Sequence, residues 1–199
     1  MTIKKQGTQS SNILSFAILV LFILVSTILP FFSFEGYSIV SNTTSHLGAQ
    51  GSPHAWIMNM TFIILGVRSI QFTSRNSEIT IAIFGFVFGL SLMLTGVFRN
   101  APLIEGISID ALSDTMHFIF ATTTGFSFTL MAFASFFTTK TKQRWIALLL
   151  VVIATIVPLT MMVYPSIMGI AQRFMFISSF TWIFFGSIGY QTSKNKEID

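Results

Sequence analysis

Six apolar stretches, each about 20 residues long, set the terms for this chain; they run over about 13–34, 54–73, 79–98, 115–137, 145–164 and 168–189. A helix rises 1.5 Å per residue, so a run of that length crosses the hydrocarbon core of a bilayer. With no water in that core, the backbone must satisfy its own hydrogen bonds, and a helix does so within each segment. The pattern predicts an all-α fold, a polytopic membrane bundle of six transmembrane helices. The longest connections, about 35–53 and 99–114, are too short for a soluble domain. Residues 13–190 are expected to form one transmembrane domain, with an N-terminal tail over 1–12 and a C-terminal tail over 191–199.

Charge supports the same class. Only 9% of the residues are charged, against about 25% in soluble domains. Disordered chains are polar and charged, so disorder is excluded as well. The formal charge of +4 does not point to nucleic acid, because the basic residues sit in short loops between apolar runs, where they act as topology signals. There is no cysteine, which excludes disulfides, thiolate catalysis and Cys-based metal centres. Lys4 and Lys5 before the first apolar run resemble a signal peptide. That run exceeds the 7–15 residues of a signal core and lacks a small-residue cleavage site, so an uncleaved first span is expected.

Orientation follows from Lys and Arg. With the N-terminus inside, nine of them (Lys4, Lys5, Arg68, Arg75, Lys140, Lys142, Arg144, Lys194 and Lys196) fall on the cytoplasmic side, and only Arg99 and Arg173 on the outer side. The positive-inside rule then puts both termini in the cytoplasm of a multi-pass cell-membrane protein. Local signals refine the spans. Ser52-Pro53 reads as an N-cap followed by proline at the first helical position. Pro158 is expected to kink the fifth span. Gly85/Gly89 and Ala121/Gly125 are small-x-x-x-small pairs suited to close helix packing. Arg68 is expected to snorkel to the cytoplasmic face.

All three histidines, four of the seven acids and two arginines map to the outer end: His46, His54, His117, Glu35, Glu105, Asp110, Asp114, Arg99 and Arg173. Ionisable groups near a bilayer usually face the bundle interior or a water-filled cavity, so a polar cavity opening outward is expected. Arg99, Arg173, Gln172 and Asn59 are candidate ligand-binding residues. Arg173 should pair with Asp114, Glu105 or Asp110, or clasp an anionic headgroup. Asp110, Asp114 and His117 share a helix face through spacings of four and three. The plain alternative for the acids is an N-terminal cap complementing the helix dipole. His54, Asp114 and His117 are candidate ligands for a divalent metal; the two histidines, at matched depth, could also ligate a haem. There is no phosphate loop, no G-x-S-x-G elbow and no H-E-x-x-H.

The segment Ser41-Asn-Thr-Thr-Ser-His46-Leu-Gly48-Ala-Gln-Gly51-Ser-Pro53-His54-Ala-Trp56, followed by Asn59, Phe62 and Gly66, resembles the domain of unknown function 998 family of prokaryotic six-span membrane proteins. Gly96-Val97-Phe98-Arg99, His117 and Gly169-x-x-Gln172-Arg173 are similar to its later features, and the resemblance covers about residues 12–190. That family's loop would carry a proline soon after Gly-x-Phe; here it stands at Pro102. The resemblance implies a fold and a membrane location and no activity. The flexible Leu47–Gly51 segment is expected to fold back over the bundle mouth and bring His46 near His54.

Two functions compete. One is an outward-facing polar cavity that binds a lipid, a small anionic ligand or a partner. The other is an intramembrane hydrolase, with a metal on His54, Asp114 and His117 activating water against a lipid. A haem or quinone redox protein and a structural subunit complete the set. The inner half offers mainly Ser, Thr and Arg68, which argues against a through-pathway for transport.

Overall fold

The computed structural model describes residues 2–75, 78–139 and 142–186, with side chains described from Ser11 onward. Helix α1 (Thr2–Ile28) runs on into a 3₁₀ turn, Leu29–Phe32, where Pro30 interrupts the α pattern. A single helical turn, α2 (Thr44–Leu47), lies in the first long connection. Helices α3 (Ala55–Thr73), α4 (Ile79–Val97), α5 (Ala111–Thr138), α6 (Gln143–Val163) and α7 (Met168–Phe185) follow. Six helices are long and apolar enough to cross a membrane, and no strand occurs among the described residues. α1 extends back through residues 2–10, which the sequence had assigned to a tail. The part of the sixth span beyond Gly186 and the C-terminal tail lie outside the described residues.

Consecutive helices α3 to α7 pack pairwise, and α1 closes the bundle against α3 and α7. One end carries the connections 33–54, 98–110 and 164–167 and is called the loop end; the other carries the α3–α4 and α5–α6 turns with Arg75, Lys142 and Arg144 and is called the basic end. α7 sends Phe176, Phe180 and Phe184 down one face at the i, i+4 spacing of a helix. These rings meet Phe22 of α1, Phe62 and Phe72 of α3 and Phe88 of α4 at 5.8–6.1 Å between centroids. Lipid tails are as apolar as these side chains, so tight packing rather than escape from water holds the core.

The tightest seam joins α3 and α4. A Cβ at Gly66 would overlap the Gly89 carbonyl, one at Gly89 would lie 2.6 Å from the Gly66 carbonyl, and one at Gly96 would lie 2.5 Å from the Asn59 carbonyl. The expected close packing at Gly85 and Gly89 is thus present, with Thr73 against Gly85. Gly125 behaves differently: a Cβ there meets nothing within 4 Å. It borders open space instead of a neighbouring helix. α6 passes through Pro158, whose missing N–H leaves the Ala154 carbonyl without its helical partner.

Arg68 does not snorkel. It is 3% exposed and donates from Nε and Nη2 to the Ser15 hydroxyl, from Nη2 to the Ser11 carbonyl and hydroxyl, and from Nη1 to Gln71 Oε1. Serines on α1 one turn apart provide the acceptors, so the guanidinium ties α3 to α1 inside the bundle.

Candidate functional site

The polar residues of the loop end are built into the backbone of two connections. The first connection folds back into the bundle: Thr44, Leu47 and Ala49 are fully buried. Asn59, 5% exposed on α3, donates from Nδ2 to the Gly48 carbonyl at 3.0 Å. Gln50 stitches the two connections together. Its Nε2 donates to the Arg99 and Asp110 carbonyls, and its Oε1 accepts from the Asp110 N–H. Sequence reasoning passed over Gln50, because one glutamine in a polar loop carries no pattern.

Helix α3 starts at Ala55 rather than at Pro53. Its N-cap is His54, held in the left-handed region at φ 55°, and the Ser52 hydroxyl donates to the His46 carbonyl instead of capping the helix. Ser52-Pro53 therefore forms a turn that precedes the helix. The His54 ring is exposed.

Asp110 is the N-cap of α5, its carboxylate accepting the Ser113 N–H at 3.1 Å. Asp114, in the first turn, accepts the Ala101 N–H at 2.7 Å. His117 is 5% exposed, and its Nδ1 faces the Phe98 carbonyl at 2.8 Å and the Thr95 carbonyl at 3.1 Å. Both partners are acceptors, so Nδ1 carries the proton and the ring caps the last carbonyls of α4, which have no helical partner. His54, Asp114 and His117 do not gather: among the described residues no three His, Asp or Glu side chains form a set that could hold a metal ion.

Arg173, 7% exposed, meets no carboxylate among its hydrogen-bond partners, contrary to the expected ion pair. Nη1 donates to the Ile39, Asn42 and Gly169 carbonyls, Nη2 to the Tyr37 hydroxyl and the Ser26 carbonyl, and Nε to that same Ser26 carbonyl, all at 2.8–3.3 Å. The acids sit on α5 and its approach, while Arg173 is turned toward α1 and the first connection. It gathers backbone carbonyls that a loop inside the bundle would otherwise leave bare. Tyr37 passes the network on to the Asn42 and Thr43 carbonyls; burial raises its hydroxyl pKa, and the Arg173 charge partly opposes this. The side chain of Arg99 is exposed at the end of α4, and its carbonyl belongs to the Gln50 stitch.

His46 lies on α2. Its Nδ1 accepts from the Thr43 N–H at 3.3 Å and faces Asn42 Nδ2 at 3.1 Å, which leaves the ring neutral with its proton on Nε2. Burial, then the proximity of His117 and Arg173, lower its pKa to about 4. The connection does fold back into the bundle.

Beneath α2 the bundle holds a cavity of about 90 Å³ between α4, α5, α6 and α7. Phe88, Leu92, Phe128, Met175 and Phe176 make its apolar wall, with Gly125 and Ala154 at its margin. Its polar rim is Ser45, Thr95, Thr124, Gln172 and Ser179. Thr124 donates to the Ser91 and Phe120 oxygens and Ser179 to the Met175 carbonyl, so those hydroxyls are engaged. Gln172 Oε1 accepts from the Thr44 N–H at 2.8 Å and the Thr44 hydroxyl at 2.7 Å. Those bonds spend its acceptor and leave its Nε2 donor, like the Ser45 hydroxyl, with no partner among the described residues. Of the four candidate ligand-binding residues, only Gln172 reaches this cavity. Ser45 and Gly125 were not singled out for binding; the signal available was a small residue at 125 on a helix face whose neighbours are Phe and Thr.

Neither a curated protein nor a solved structure matches the chain. A family model described as "Protein of unknown function (DUF998)" matches residues 16–188, from the middle of α1 past the end of α7. With six membrane-length helices and nearly the whole chain covered, this membrane protein belongs to the DUF998 family.

Proposed function

We propose that the protein is a cell-membrane lipid-binding protein that takes a short hydrocarbon segment into the cavity between α4, α5, α6 and α7 and hydrogen-bonds its carbonyl through Gln172 and Ser45. One observation carries this reading: a cavity walled by Phe and Met whose unspent polar groups, among the described residues, are an amide N–H and a hydroxyl at its loop-end rim. Those groups suit the carbonyl of an ester or amide. Among the described residues no cation lines the cavity, and the buried Arg173 is fully engaged, which favours an uncharged acceptor over a free anion. From Gln172 to Ser179 the cavity follows α7 for about 10 Å. Left empty, about 90 Å³ would forfeit roughly 2 kcal/mol of packing. No comparable observation favours a metal-dependent hydrolase on His54, Asp114 and His117.

The distribution of Lys and Arg supports termini in the cytoplasm and the loop end outside. Arg68 and Arg173 are buried structural groups, so they drop out of the positive-inside count, which then stands at eight against one. The cavity would receive its ligand from the outer leaflet.

Gly125→Leu tests the reading, since Gly125 lines the cavity and a side chain begun there meets no neighbouring atom within 4 Å. Native mass spectrometry of protein extracted in mild detergent should show a bound lipid mass on the wild type that Gly125→Leu loses while its melting temperature is retained. A wild-type protein without any adduct, or the same adduct on the variant, would overturn it.

A further inference from the structure

Helix α2 is tied down on both sides above the α4–α7 cavity. On the near side the Asn42 carbonyl accepts from Arg173 Nη1 and from the Tyr37 hydroxyl, which also reaches the Thr43 carbonyl. On the far side Leu47 is fully buried and the Gly48 carbonyl accepts from Asn59. Thr44, Ser45 and His46 lie between these anchors and make half of the cavity rim. Ser45 lines the cavity, and Thr44 fixes Gln172 through two hydrogen bonds to its Oε1. A single helical turn has no stability of its own, so its place depends on the bonds its residues make to their surroundings.

His46 is the one titratable residue of the turn. Its Nδ1 is held as an acceptor. It receives the Thr43 N–H at 3.3 Å, the histidine half of a capping box. It also faces Asn42 Nδ2 at 3.1 Å, and that amide is fixed in direction, because its Oδ1 accepts the Ser38 N–H at 2.9 Å. A proton on Nδ1 would therefore meet two N–H donors. The charged and titratable groups that face the ring from other elements are His117 of α5 and Arg173 of α7. Neither is a carboxylate to share the added charge. The imidazolium has to leave, and Thr43, 7% exposed, then loses the acceptor for its N–H. The low pKa of His46, about 4, agrees with this geometry.

We propose that residues 44–46 are an acid-released strap over the cavity: protonation of His46 frees the turn, withdraws Ser45, unfastens Gln172 and discharges the lipid held at neutral pH. What is discharged rests on the lipid-binding reading above; what moves rests on the strap alone. The closed strap requires neutral His46, so acid favours the open form and weakens binding.

Two measurements on the full chain in detergent, each at about pH 7.5 and about pH 4.5, separate the two parts. Hydrogen exchange compares a peptide covering residues 42–50 with one from α3, which removes the chemical effect of pH. Dioctanoylglycerol, an uncharged diester, is titrated by native mass spectrometry. On acidification the wild-type 42–50 peptide should lose about tenfold in protection relative to α3, and the diester should bind about tenfold more weakly. His46→Gln keeps an acceptor at the capping-box position and does not titrate, so it should hold both protection and affinity in acid. Wild-type protection of 42–50 that follows α3 overturns the proposal whatever the cavity binds. Diester binding that acid leaves unchanged, or an equal acid loss in His46→Gln, overturns it as well. Acid release of 42–50 in a protein that binds the diester at neither pH overturns the lipid-binding reading and upholds the strap.

Discussion

Asn59 and Gly48 are matched so closely that the asparagine amide occupies the place where a side chain at position 48 would begin. Nδ2 donates to the Gly48 carbonyl at 3.0 Å, while Oδ1 lies where a Gly48 Cβ would be. That Oδ1 is buried and receives no N–H or O–H. The group facing it is the glycine Cα–H, a contact worth about 0.5–1 kcal/mol. Gly48→Ala should therefore destabilise the protein by about 1–3 kcal/mol through overpacking. Adding Asn59→Ala to it should cost less than the two single changes summed. Thermal unfolding in detergent measures this, and a Gly48→Ala protein as stable as wild type would contradict the account.

His117 should act as a cap. His117→Ala would leave the Thr95 and Phe98 carbonyls without a donor and cost about 1–3 kcal/mol. His117→Gln can still present an N–H and should recover part of that loss. Added divalent metal should leave the melting temperature of both variants and of wild type unchanged; a metal-dependent rise confined to wild type would point to a ligand role instead.

The guanidinium of Arg173 joins acceptors on α1, on α7 and in the first connection. Arg173→Met would strip several buried carbonyls at once, a loss of about 3–5 kcal/mol. Arg173→Lys keeps the charge but not the planar fork, and should restore less than half of the difference. Limited proteolysis within residues 35–43 should report release of the connection in both variants, more strongly in the Met variant.

Stability should fall on acidification through His46. Its folded pKa is about 4, below the ordinary 6.5. As pH drops, the unfolded chain takes up the proton first. The contribution of neutral His46 is therefore fully present above pH 6.5, shrinks between 6.5 and 4, and is gone below 4. Allowing for its partial exposure, about 2 kcal/mol is at stake. Unfolding measured from pH 7.5 to 4 should show this slope, and His46→Gln should flatten it.

Much of this architecture was legible in the chain. Six runs of membrane length must become six helices, because no other backbone form satisfies itself in hydrocarbon. The capping role of Asp110 was readable too, since an N-cap is a contact between near neighbours. Gly85 and Gly89 announced a close seam by spacing alone.

The sequence by itself determined the helices, their number and the end at which the polar residues collect, because these depend on hydropathy and short-range spacing. Only the tertiary structure decided what each polar residue faces. Arg173 was expected to seek a carboxylate, and it binds carbonyls, because a connection folded into the bundle presents bare backbone oxygens that no residue pattern records. Ala121 and Gly125 carry the same small-residue signature as Gly85 and Gly89, yet Gly125 borders a cavity. Whether a small residue admits a neighbouring helix or leaves a void depends on how near that helix comes, and contacts across the whole bundle set that distance.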